Sequence, residues 1–126
     1  PEALRGERVF KAACAGCHAG PLFTAADRGG FHRIDAPFAG DQGLGDVTGK
    51  PGDNGRFRTP SLRNVALSAP YLHDGSAPTL ETAIRRHRAA VRLGEREVAE
   101  LVAFLGTLTD ERFVTAPRFS LPKAGC

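Results

Sequence analysis

Cys14-Ala15-Gly16-Cys17-His18 decides the reading of this 126-residue chain. Two cysteines separated by two residues and followed at once by a histidine form the attachment sequence for c-type haem. The thiols add across the two porphyrin vinyl groups to give thioethers. The histidine is then placed to offer an imidazole to one axial face of the iron. The pair has other readings: a redox disulfide, half a zinc site or a structural disulfide. A thioredoxin-type pair needs no histidine at the next position, and a zinc site needs two more ligands at short spacing, which no second C-x-x-C provides.

Upstream, Glu2–Ala13 reads as a helix, with Leu4, Val9, Phe10 and Ala13 as an approximate apolar stripe. Gly6 interrupts it at a cost of about 1 kcal/mol relative to Ala. A glycine four residues before an aromatic makes sense where another helix crosses closely. The helix delivers Cys14, and the motif continues its last turn.

Downstream, from Gly20 to Arg58, the pattern changes. Glycines recur at 29, 30, 40, 43, 45, 49, 52 and 55, with prolines at 21, 37 and 51. The segment is too long and too Gly-rich for one helix or one regular strand. A loop of this length in a small domain usually has a task. Here the task is to wrap the haem edge, with Leu22, Phe23, Phe31, Ile34, Phe38 and Phe57 as apolar contacts; a surface excursion is the bland reading.

Thr59-Pro60 has the form of a helix start, Thr as N-cap and Pro at the first helical position. It predicts a short helix through Leu62, Val65 and Leu67 that ends before Pro70. Tyr71-Leu72-His73-Asp74-Gly75 reads as a turn. Pro78-Thr79 opens the next helix, with Glu81 near the positive end of its dipole. Leu80, Ala83, Ile84 and His87 fall on one face of it. Glu95 to about Leu108 is a clear amphipathic helix on Val98, Leu101, Val102 and Leu105, with Gly94 as N-cap. No strand is predicted. The expected fold is all-α and cytochrome c-like, with a long Gly-rich loop around a covalent haem. It divides into a cytochrome domain over 1–110 and a C-terminal tail over 111–126.

Composition bounds the alternatives. A formal charge of +3 and a pI near 9.1 are mildly basic, and no Lys/Arg run is long enough to point to nucleic acid. No stretch approaches the roughly 18 apolar residues of a membrane span. No signal peptide is visible, yet c-type attachment belongs outside the cytosol. The expectation is a processed periplasmic protein or a piece of a longer exported one. Cys126 is a free thiol, a link to another chain, the end of a fragment, or a residue without a role.

The other axial ligand is constrained by an absence: the chain contains no Met. Candidates are His32, His73, His87, Tyr71, a Lys, or an open site. His87 leads because it lies on the apolar face of its helix. His32 could reach from the Gly-rich loop. His73, beside Asp74 in a turn, suits a hydrogen bond near a propionate. Arg58 and Arg63 are placed to meet propionates. Arg85, Arg86, Arg88 and Arg92 form either a solvated face or a positive rim that steers an acidic redox partner.

The run Phe57-Arg58-Thr59-Pro60-Ser61-Leu62-Arg63-Asn64-Val65-Ala66-Leu67-Ser68-Ala69-Pro70-Tyr71-Leu72-His73-Asp74-Gly75 resembles a segment of the bacterial di-haem cytochrome c peroxidases and the related MauG proteins. Val47-Thr48-Gly49 and Leu101-Val102-Ala103-Phe104-Leu105 extend the resemblance, which covers roughly residues 4 to 110. It corresponds to the second, C-terminal haem domain of those enzymes. The resemblance implies an electron-transfer haem, with peroxide reacting at another domain's haem. It implies a distal ligand six residues after Thr79-Leu80-Glu81, at His87, where relatives carry Met or Tyr. It further implies a calcium ion between the two domains, bound in part by carbonyls matching Ser68 and Pro70. The expected function is single-electron transfer to a redox partner protein or a second haem domain, through one haem with two histidine ligands. The alternative is a peroxidase or MauG-like oxidant that reacts with peroxide itself.

Overall fold

Helix α1 spans Glu2–Ala13, the residues that the periodicity predicts. The computed structural model describes residues 1–25, 29–34 and 40–120. Against α1 lies helix α4, Glu95–Gly106, which buries Val98, Leu101 and Leu105. The reason for Gly6 is visible at this crossing. A Cβ built there would stand 1.8 Å from the Glu100 carbonyl oxygen and 2.9 Å from the Phe104 Cβ. Any side chain at this position forces the helices apart. Phe10 packs beside the gap, its ring 5.2 Å from that of Phe104. Glu100 is buried on the same face and bonds Arg5 from α1 and Arg96, one turn before it on α4, at 3.1 Å.

The core is completed by Val65, Ile84 and Ala90 from the segments between these helices. Helix α3, Leu80–Arg85, starts on Thr79, whose Oγ1 accepts from the Thr82 amide at 3.1 Å. Gly94 precedes α4 as expected, and its amide donates to Glu97 Oε2 at 2.9 Å.

Several expectations are corrected. The fold is mostly helical but not all-α. Strands β1, Phe31–Arg33, and β2, Arg56–Arg58, pair antiparallel with His32 opposite Phe57. Three residues are too few for a period-two pattern to emerge. The Gly-rich segment also contains a helix, α2, Leu44–Thr48, closed by Gly49 at φ 67. The helix expected from Thr59 does not form; only Val65–Leu67 makes a 3-10 turn. The polar groups that would have started it bond elsewhere. Thr59 Oγ1 bonds His32 Nδ1 at 2.6 Å, and Ser61 Oγ donates to the Leu22 carbonyl at 2.6 Å. Helix α3 stops at Arg85, so His87 is not on it; His87 stands at the start of a 3-10 turn over Arg88–Ala90. Residues 111–120 carry a short helix, α5, Glu111–Val114, and a turn over Pro117–Phe119. Phe38 and Cys126 lie outside the described residues.

Candidate haem centre

The C-x-x-C-H motif is wound onto the end of α1. The Cys14 amide donates to the Phe10 carbonyl at 2.8 Å, and the His18 amide to the Cys14 carbonyl at 2.9 Å. Both cysteines are half-buried and are not joined to one another. Burial, with a smaller contribution from Cys17, pushes the Cys14 thiol up to about 11. The attacking thiol of a redox pair is tuned the opposite way. Burial of Cys14 therefore does not favour the thiolate that thioredoxin-type chemistry needs.

His18 donates from Nδ1 to the Phe23 carbonyl at 3.1 Å. Its pKa is lowered, first by burial and then by His87 and His32 nearby, against the raising effect of the Phe23 and Pro60 carbonyls. With Nδ1 donating to the Phe23 carbonyl, the neutral imidazole carries its lone pair on Nε2, the nitrogen left to bind a metal. His87 is held in the same way: Nδ1 donates to the Ala83 carbonyl at 2.8 Å. That carbonyl lies in the last turn of α3 and also accepts from the Arg86 amide at 3.2 Å. The two rings face each other with centroids 6.5 Å apart and an interplanar angle of 56°.

This spacing tests whether the residues suit an iron porphyrin. An imidazole nitrogen sits about 2 Å from a metal it ligates, and a ring built of bonds of about 1.33 Å has a radius of about 1.1 Å. Two imidazoles on opposite sides of one ion therefore have centroids about 6.2 Å apart. The observed separation fits.

His32 is engaged with Thr59. His73 stacks on Phe57, with ring centroids 3.9 Å apart and planes 17° from parallel. Both its ring nitrogens are buried with no hydrogen-bond partner. Asp74 does not satisfy them; it accepts from the Ser76 amide. Tyr71 packs against the core. Arg58 is exposed on β2. Arg63 is exposed, and its Nε donates to the Pro21 carbonyl at 3.2 Å. Arg85 donates to the Leu93 carbonyl and Arg86 to Ser76 Oγ, so two of the four cations near His87 are tied down. Sequence reasoning missed Thr59, which links the loop to the motif: its carbonyl accepts from Thr24 Oγ1 at 2.6 Å. The sequence shows Thr59 only as the residue before Pro60, a pattern that reads as a helix start.

No protein-family model matches the chain. Individual proteins do. It is 38% identical over 128 residues to the cytochrome c551 peroxidase of Nitrosomonas europaea, covering 94% of this chain and 36% of that protein. It is 34% identical over 127 residues to the methylamine utilization protein MauG of Methylorubrum extorquens, covering 87% of this chain and 35% of that one. The chain belongs to the cytochrome c peroxidase and MauG family. The fold agrees. A crystal structure of a MauG-like protein associated with microbial copper homeostasis superposes with a TM-score of 0.78 at 36% identity, over 94% of this chain and 50% of that one. The chain thus spans about a third of the length of these two peroxidase and MauG relatives. No helix among the described residues is long and apolar enough to cross a membrane.

Proposed function

We propose that the chain is the electron-transfer domain of a cytochrome c peroxidase or MauG-type oxidoreductase, corresponding to the C-terminal haem domain of the family. It holds one haem c through Cys14 and Cys17, with His18 and His87 as axial ligands. The observation that carries this reading is the facing pair of imidazoles, 6.5 Å apart, each with Nδ1 fixed by a backbone carbonyl. When bound, the haem supplies a reversible one-electron couple. The chain's own residues do the rest. Phe23 and Ala83 orient the two rings. His73, unpartnered at both nitrogens, donates to a propionate, and Arg58 and Arg63 add positive charge at the same edge. Covalent attachment of this kind supports a periplasmic location, where the domain would exchange electrons with a partner protein or a second haem domain. The exposed carbonyls of Ser68 and Pro70 contribute to a calcium site shared with that domain.

A second reading has support in the names of the relatives: the chain's own haem reacts with peroxide. It requires His87 to leave and a histidine such as His73 or His32 to move a proton. Carbon monoxide separates the two. The pyridine haemochrome of the purified holoprotein should show one c-type haem per chain, and the ferrous spectrum should not move under CO. Rapid CO binding would overturn the electron-transfer reading in favour of the second, and absence of covalent haem would overturn both.

A further inference from the structure

The loop that follows the haem motif presents three consecutive carbonyls, and each accepts from a different side chain. The Pro21 carbonyl accepts from Arg63 Nε at 3.2 Å. The Leu22 carbonyl accepts from Ser61 Oγ at 2.6 Å. The Phe23 carbonyl accepts from His18 Nδ1 at 3.1 Å. Ser61 also accepts from the Arg63 amide at 3.2 Å, so these two donors are braced together.

The turn that carries these carbonyls is closed by two backbone bonds of its own, Phe23 amide to Gly20 carbonyl at 3.1 Å and Thr24 amide to Ala19 carbonyl at 3.0 Å, and the side chains of 59–63 fasten it from outside. Phe23 sits at φ 51, in the left-handed region that a residue with a side chain rarely enters. Such a conformation persists only where its surroundings over-determine it. The Phe23 ring is anchored on the helix crossing, 5.6 Å from Phe10. Its backbone is anchored by the segment 59–63, since Thr24 Oγ1 also donates to the Thr59 carbonyl. Ser61 and Arg63 are both exposed, where a hydrogen bond contributes little to net stability. Their effect is to set the direction of the peptide planes leading to the Phe23 carbonyl.

We infer that Ser61 and Arg63 are positioning residues for the iron ligand His18. They act as a latch that fixes the carbonyl which its Nδ1–H addresses. The inference rests on the haem reading above. A carbonyl aimed at Nδ1–H makes the imidazole a stronger donor to the metal, and a stronger donor favours ferric over ferrous iron. Releasing the latch weakens that donation, so the midpoint potential should rise.

The test uses the holoprotein with Ser61→Ala, Arg63→Lys, which keeps the positive charge at the haem edge while removing the Nε donor, the double variant and Ser61→Thr. Potentials come from spectroelectrochemistry, and exchange of the His18 Nδ1 proton is followed by NMR in the diamagnetic ferrous state. The double variant should shift the potential upward and exchange this proton roughly fivefold faster or more, the equivalent of losing one hydrogen bond. Ser61→Ala alone should shift it less, and Ser61→Thr should restore it. Potentials and exchange rates equal to wild type in the loaded double variant would overturn the latch and leave the haem reading standing. A double variant that loses stability with both readouts unchanged has the same meaning, since it assigns the residues a merely structural role. A wild-type chain without covalent haem would overturn both.

Discussion

The crossing of α1 and α4 and the wall of histidines beside it are built on opposite terms. At the crossing the chain completes itself. Gly6 lets backbone touch backbone, Phe10 and Leu101 fill the seam, and the buried Glu100 carboxylate is met by two arginines. Along the histidine wall, polar atoms are buried without being used up. His73 has two unpartnered nitrogens, and the rings of His18 and His87 stand with centroids 6.5 Å apart. A buried polar group without a partner costs about 1–3 kcal/mol. The first region is a core in the ordinary sense. The second suits a prosthetic group, and on the proposed haem reading its stability depends on that group.

The largest effect that separates the two should come from Gly6→Val. The added carbons have to displace the Glu100 carbonyl, which is backbone and cannot swing aside. A loss of about 3 kcal/mol or more is expected, read as a lowered urea midpoint; a midpoint within error of wild type would break the account of the crossing. Next comes Cys14→Ala with Cys17→Ala, which prevents attachment. Amide exchange should accelerate through residues 59–93 more than in α1 and α4. Uniform acceleration would mean that the regions are not distinct in the way described.

His73→Phe sharpens the contrast at about 1 kcal/mol. In the haem-free chain it removes two unsatisfied nitrogens and should be neutral or stabilising. In the loaded protein it removes a donor and should be destabilising, and thermal melts of both forms give the two signs. One sign in both forms would detach His73 from the haem.

The smallest effect is a dependence on pH. Glu100 has its carboxyl held below the usual range, first by the hydrogen bond from Arg5 and then by Arg96. A depressed carboxylate stabilises the fold above its unfolded pKa, and the contribution fades as pH falls through the folded value. The melting temperatures of wild type and Glu100→Gln should therefore differ at neutral pH and converge in acid. Parallel curves would remove Glu100 from the crossing.

How much of this was legible beforehand follows the same division. The crossing could be read in outline from helical periodicity and Gly6, while the buried Glu100 and its two arginines carry no such sign. The bounds of α1 and the N-cap of α4 fall where the pattern puts them. The histidine wall was legible by residue type but not by geometry. His87 was selected as part of a helical face, yet α3 ends before it, and its orientation comes from the Ala83 carbonyl instead. Thr59-Pro60 has the chemistry of a helix start, and long-range hydrogen bonds to His32 and Thr24 outcompete it. The strands around His32 and Phe57 pair across the Gly-rich segment, and three residues on each side leave no periodic trace.

Low-temperature EPR of the ferric holoprotein, beside His87→Gly, bears most directly on the facing imidazoles. The wild type should give a low-spin signal from two nitrogen ligands, and the variant should convert to high spin and recover on addition of imidazole. A wild-type signal that is already high-spin, or one that His87→Gly leaves unchanged, would contradict the assignment of His87 to the iron.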